Sequence, residues 1–195
     1  MPNIKPFKLW NVPNSLTMLR ILLIPVFVGI FYLPTAAIPV HWVNFSATAV
    51  FALAAITDWL DGYFARILNQ TSAFGAFLDP VADKLMVAAA LIVLVEFERV
   101  GAIIALIIIG REIAISALRE WMAGMGEGSS VAVAWLGKIK TGVQMAAILF
   151  LLYYDAIGPL NVKLIGHVLI VIAAFLTLLS MAYYLKSAWP RMKAR

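Results

Sequence analysis

The chain contains no cysteine. Disulfides, thiolate metal sites and cysteine nucleophiles are therefore excluded, although the absence says little about redox compartment. Charge is scarce as well: 13% of the 195 residues are Asp, Glu, Lys or Arg, about half the ~25% of a soluble domain. With 64% hydrophobic residues and a mean hydropathy of +0.96, the bilayer is a better solvent for this chain than water. Internal repeats and low-complexity linkers are also missing, and "GMGEGSS" (124–130) is the most flexible-looking loop. Histidine is limited to His41 and His167, which fall near the expected outer side and look uninvolved in any chemistry.

What is present is long and apolar. Stretches at roughly 16–34, 43–67, 73–97, 101–123, 134–154 and 163–186 each reach the ~20 residues that a membrane span needs. The expected fold is an all-α integral membrane protein with six transmembrane helices and a short N-terminal interfacial segment. A single membrane domain would cover 1–195, with 1–14 in the interface and 16–186 forming the bundle. The opening "MPNIKPFKLWNV" mixes Lys5 and Lys8 with Phe7, Leu9 and Trp10; it reads as an interfacial helix or as a basic flank that only sets orientation. Arg20 followed by an apolar run and "PTAA" (34–37) loosely resembles a signal peptide, but Pro25 and five further spans speak against cleavage.

The net charge of +5 is explained by orientation rather than by nucleic acid, which is not an expected partner. With the N-terminus inside, Lys5, Lys8, Arg20, Arg66, Lys84, Arg111, Arg119, Lys138, Lys140, Lys186, Arg191, Lys193 and Arg195 fall in the inner half, and only Arg99 and Lys163 outside. That is the positive-inside pattern. Trp10, Trp121, Trp135 and Trp189 fit an interfacial aromatic belt.

Against this background "ITDWLDGYFARILNQTSAFGAFLDPVADK" (56–84) stands out, with Asp58, Asp61, Asp79 and Asp83. Asp58 and Asp61 are spaced i, i+3 and Asp79 and Asp83 i, i+4, so each pair shares a helix face. On an antiparallel hairpin both pairs can point to one place. Each charge inside a bilayer costs at least about 2.5–3.5 kcal/mol, so something must offset the cluster. Hard divalent cations with oxygen ligands would do so. Pairing with Arg66, Lys84, Arg111 and the other cations, an ion relay in a carrier, or helix capping by Asp58 and Asp79-Pro80 are the alternatives. Capping alone does not account for two helical spacings. Gly62, Ala65, Gly75, Ala76 and Ala82 either let helices pack closely or leave room for a flat ligand.

Other residues carry similar choices. Arg66 follows Asp58 by about two turns and can grip a phosphate or pair with an aspartate. Thr71 and Ser72, and likewise Asn14 and Thr17, can bind a ligand or cap helices. Arg111 and Arg119 share one face of the fourth helix, and Lys138 and Lys140 open the fifth; they form a second basic group, or serve as an ion pair with Glu112 and as orientation anchors. Arg20 can join either group.

Asp58-x-x-Asp61-Gly62-x-x-Ala65-Arg66, eight residues, then Gly75-x-x-x-Asp79-x-x-x-Asp83 resembles the signature of the CDP-alcohol phosphatidyltransferase family, with all eight positions matched. "NVPNSLTMLRILLIP" (11–25), "GREIAISALRE" (110–120) and "GKIKTGVQ" (137–144) look like the branch whose acceptor is sn-glycerol 3-phosphate. The resemblance implies transfer of the phosphatidyl group of CDP-diacylglycerol to that alcohol, giving phosphatidylglycerophosphate and CMP. It implies two Mg²⁺ or Mn²⁺ ions on Asp58, Asp61, Asp79 and Asp83, with Asp83 as general base. CDP-lipid contacts would come from Gly62, Ala65, Arg66, Thr71, Gly75, Asn14 and Thr17. The acceptor phosphate would meet Arg20, Arg111, Arg119, Lys138 and Lys140. It further implies a homodimer in the bacterial inner membrane, among membrane lipids, with termini and active site cytoplasmic. Inositol phosphate, serine or phosphatidylglycerol as acceptor, and a cation-coupled carrier, are the competing readings; the lack of inverted repeats weighs against the carrier.

Overall fold

The structure is a computed structural model that describes residues 12–34, 38–67, 73–124 and 133–193. Six helices follow in order: α1 (Val12–Phe31), α2 (Val40–Ile67), α3 (Ala73–Glu96), α4 (Ala102–Gly124), α5 (Val133–Tyr153) and α6 (Val162–Lys193). The described residues hold no strand, only an isolated bridge between Ile157 and Leu160. Among the described residues three helices carry windows long and apolar enough to cross a membrane: Asn14–Phe31, Val40–Leu60 and Val162–Lys186. Among the described residues the acids of α3 and the charges of α4 interrupt their apolar runs, and α5 carries the apolar stretch Ile139–Tyr153. The first helix begins at Val12, so 12–14 are helical; 1–11 lie outside the described residues.

The chain divides into two compact units, 1–90 and 91–195, and each is best understood by itself. In the first, α1 packs on α2. Arg20 meets Asp58, and Phe27 meets Phe51 with ring centroids 6.1 Å apart. Seven residues forward on α1 thus correspond to seven back on α2, which makes the pair antiparallel. The buried stripe of α1 changes character along its length. Asn14, Thr17 and Arg20 are buried at its start, Phe27 and Phe31 at its end. The α2 stripe runs the other way, from Val43, Ala47 and Phe51 to Ala54 and Thr57. Asn44 aside, which is also buried on α2, one end of the pair is apolar and the other polar.

In the second unit α6 packs against both α5 and α4. Gly166 permits a close approach of α5 and α6: a Cβ there would lie 2.8 Å from Leu151 Cγ and 3.3 Å from its backbone nitrogen. Asn161 starts α6 as an N-cap, its Oδ1 accepting from Leu164 N at 3.1 Å. Between α5 and α6, Gly158 takes a left-handed φ of 56°, and Ile157 and Leu160 exchange backbone bonds around it.

The exit from α3 shows local structure feeding tertiary structure. Glu98 adopts a left-handed φ of 56°, Arg99 N bonds to Leu94 O at 2.8 Å and Glu98 N to Val95 O at 3.0 Å. These are the two bonds of a Schellman stop. The turn sends the Arg99 side chain inward, where Nη1 donates to Leu152 O at 2.9 Å and Leu151 O at 3.1 Å. A cation thereby closes the negative end of α5. Arg99 and Lys163 flank the Tyr154 ring, 4.4 Å and 4.3 Å from its centroid. Arg99 is 6% exposed, and burial lowers its pKa while Tyr154 and Asp155 act the other way.

Polarity is arranged as a bilayer demands. Leu22, Ile103, Leu106, Ile113 and Phe175 are exposed, whereas Arg20, Arg111 and Lys140 are buried. Water-soluble proteins almost never bury such cations unless they are paired; in lipid, polar groups turn to one another.

Candidate functional site

The polar end of the first unit gathers side chains from three helices. Asp58 lies in α2 and Asp79 in α3, far from either helix start. The capping alternative is thereby removed: α3 begins at Ala73, and Asp79-Pro80 sits within it. The ring of Pro80 also cannot donate to the carbonyl four residues earlier. Asp79 and Asp83 continue the line of Ala82, Met86, Val87 and Ala90, which are buried. Both acids are half-buried.

Asp58 and Asp79 each have a keeper on α1. Arg20 Nη1 lies 2.7 Å from Asp58 Oδ1, and the Thr17 hydroxyl donates to Asp79 Oδ1. The two carboxylates also act on one another electrostatically. Thr17 and Arg20 are one helical turn apart, so one face of α1 steadies acids on two other helices. Asn14, one turn earlier, is 2% exposed and continues that face. Of the two groups open to Arg20, the structure thus places it with the acids of the first unit. A guanidinium 1% exposed beside a carboxylate side chain 45% exposed leaves the oxygen, not the cation, open to a ligand.

The donor set suits a hard divalent cation. It offers carboxylate oxygens from two helices, held by a hydroxyl and a guanidinium, and no soft ligand. Among the described residues no three His, Asp or Glu side chains group as metal ligands would. Gly62 falls within α2; the side chains of Asp61, Ala65 and Arg66, and the whole of Thr71, lie outside what the structure describes. Gly75 is buried at the start of α3.

The second unit holds a basic cluster. Glu112 on α4 pairs with the Lys140 ammonium of α5, and Arg111 Nη1 lies 3.5 Å from the same Oε1. Arg111 Nη2 donates to Ser180 Oγ of α6 at 2.9 Å, and that hydroxyl donates to Thr177 O at 2.9 Å. Lys140 is 1% exposed and Arg111 6%, so both cations are held inside the unit. The ion pair of Arg111 with Glu112, which stands as the alternative to a phosphate role, is present. Arg119 and Lys138 are helical, but their side chains lie outside the described residues.

Sequence reasoning passes over Glu112 as the group that joins Lys140 to Arg111, Ser180 as the hydroxyl that accepts from Arg111, and Gln144 and Thr177 as buried polar residues of α5 and α6. The spacing of Gln144 four residues after Lys140 was available as a signal. The α6 hydroxyls had none, because Ser and Thr are common in membrane helices.

Comparison with known proteins bears on these residues together. A family model described as CDP-alcohol phosphatidyltransferase matches residues 10–179. The chain is similar to proteins of Escherichia coli (strain K12), Shigella flexneri serotype 5b (strain 8401) and Shigella boydii serotype 4 (strain Sb227), each 49% identical over 181 residues, 92% of this chain and 95% of the relative. All three are named CDP-diacylglycerol–glycerol-3-phosphate 3-phosphatidyltransferase. The matched span takes in the acids of α2 and α3, their keepers on α1 and the basic cluster of α4 to α6, and with that coverage the chain belongs to the CDP-alcohol phosphatidyltransferase family.

Proposed function

We propose that this protein transfers the phosphatidyl group of CDP-diacylglycerol to sn-glycerol 3-phosphate, releasing CMP and giving phosphatidylglycerophosphate. The observation that carries the chemistry is the convergence of Asp58 and Asp79 under Thr17 and Arg20. The acceptor follows the name borne by relatives 49% identical over 92% of the chain. A match running through 10–179 supports one functional domain across both units.

Asp58, Asp61, Asp79 and Asp83 would hold Mg²⁺ or Mn²⁺, with two ions expected; when bound, the metal neutralises charge on the pyrophosphate and on the departing CMP. Arg66 and Gly75, with Gly62, Ala65, Thr71 and Asn14, are assigned to the nucleotide and its phosphates. Thr17 and Arg20 orient the acids. Arg111 and Lys140, with Arg119 and Lys138, are assigned to the acceptor phosphate. Asp83 takes the proton of the acceptor hydroxyl, whose oxygen bonds to the phosphorus bearing the lipid as the bond to the CMP oxygen breaks. A single in-line displacement inverts configuration at phosphorus. Diacyl tails remain in the bilayer, and the basic asymmetry of the sequence favours a cytoplasmic site and termini. A homodimer in the bacterial inner membrane is the expected assembly.

The test is CMP release by the purified protein from CDP-diacylglycerol with each alcohol in turn. Glycerol 3-phosphate should support turnover, a chelator should stop it, and Mg²⁺ or Mn²⁺ should restore it. Turnover with inositol phosphate or serine and none with glycerol 3-phosphate would reject the acceptor. Net retention at phosphorus would reject the single displacement.

A further inference from the structure

Two buried polar atoms in the second unit have no role in the chemistry above. Gln144 Oε1 and Thr177 Oγ1 find no hydrogen-bond partner among the described residues, although Gln144 is 3% exposed and Thr177 0%. An unpaired buried carbonyl or hydroxyl is costly, and native structures hold few without a reason. The hydroxyl of Ser180 one turn from Thr177 is fully used, accepting from Arg111 and donating to a carbonyl.

The two atoms lie beside the basic cluster. Gly166 sits against Leu151 across α5 and α6, and helices joined by so short a turn run antiparallel. Counting equally back from Leu151 and on from Gly166 brings Lys140 level with Thr177. Gln144 is one turn from Lys140 on the same face of α5. Glu112, which holds Lys140 and Arg111 together, is 24% exposed, so the cluster reaches the surface there.

We propose that Gln144 and Thr177 are the part of the acceptor site that reads a hydroxyl group, next to the cations that meet the phosphate. An amide oxygen only accepts, so its missing partner must be an O–H or N–H donor; the Thr177 hydroxyl can then accept from or donate to the same group. A ligand that satisfies both features carries a phosphate and a free hydroxyl a few bonds away. This rests on the reading of Arg111 and Lys140 as the acceptor-phosphate group. On glycerol 3-phosphate the hydroxyl read is the secondary one, which does not react. Sites built to bind a hydroxyl reject analogues that lack it far better than apolar pockets reject extra groups.

The test compares glycerol 3-phosphate with 3-hydroxypropyl phosphate, which keeps the phosphate and the reacting primary hydroxyl but lacks the secondary one. The wild-type protein should prefer glycerol 3-phosphate by about 10- to 100-fold in kcat/KM. Gln144→Met, close in shape, should lose that preference through KM for glycerol 3-phosphate while matching the wild type on the deoxy analogue. Thr177→Val should narrow the preference in the same direction. KM for CDP-diacylglycerol should not move in either variant. Equal losses on both acceptors, or no wild-type preference, would overturn the inference and make these residues structural. Failure of the wild type to turn over glycerol 3-phosphate at all would instead overturn the functional reading on which it stands.

Discussion

Arg20 Nη1 and Asp58 Oδ1 stand 2.7 Å apart, the first on a side chain 1% exposed and the second on one 45% exposed. The pair joins α1 to α2 at the polar end of their antiparallel contact and fixes one of two carboxylates that act on each other. Arg20→Met should therefore cost more than an exposed ion pair and less than a fully buried one, about 1–3 kcal/mol. Thermal unfolding in detergent measures this. Arg20→Met combined with Asp58→Asn should regain part of the stability and none of the CMP release. Recovery of turnover in the double variant would show that Asp58 is only a structural partner.

Asp83 is assigned the proton of the acceptor hydroxyl. Asp83→Asn keeps the shape and removes the base, so turnover should fall by about 10²–10⁴-fold. Binding of CDP-diacylglycerol, followed by protection from thermal unfolding, should be largely kept. Turnover near the wild-type rate would remove Asp83 as the base.

Glu112 holds Lys140 and lies 3.5 Å from Arg111. Glu112→Gln should loosen both cations and raise KM for glycerol 3-phosphate by about 10-fold, the scale of a charged hydrogen bond. KM for CDP-diacylglycerol should stay within about twofold, by the same assignment of roles. A rise confined to the lipid substrate would place the cluster on the other substrate.

Gly166 faces Leu151. Gly→Ala in a helix ordinarily gains up to about 1 kcal/mol in propensity. Here the new Cβ would come 2.8 Å from Leu151 Cγ, a branch point rather than a flexible tip. Overpacking costs of about 1–3 kcal/mol should win, and Gly166→Ala should lower the unfolding temperature. Gly166→Ala should cost less in a Leu151→Ala background. A raised unfolding temperature in the single variant would mean that α5 and α6 separate easily at this contact.

The positions of the helices and the chemical character of the acid stretch are legible in the amino-acid sequence. Long apolar runs have few ways to hide backbone polar groups in lipid, so helices follow from composition. The i, i+3 and i, i+4 spacings place Asp58 with Asp61 and Asp79 with Asp83 on shared faces because helical periodicity is local. Helix ends are less evenly legible: α3 starts at Ala73, as its apolar run indicates, whereas α1 starts at Val12, since a turn signal near Pro13 does not say which side of the proline the helix occupies.

Partner choice is a different matter. Nothing local assigns Arg20 to Asp58, Thr17 to Asp79, Lys140 to Glu112 or Arg99 to the carbonyls of Leu151 and Leu152. Those pairings depend on how two helices slide and turn against each other, which is set by contacts such as Phe27 on Phe51 and Gly166 on Leu151. Sequence by itself determined which residues share a helix face and that charged groups must find company in an apolar chain. Only the tertiary structure decided which company, because interhelical register is a property of packed surfaces many residues apart.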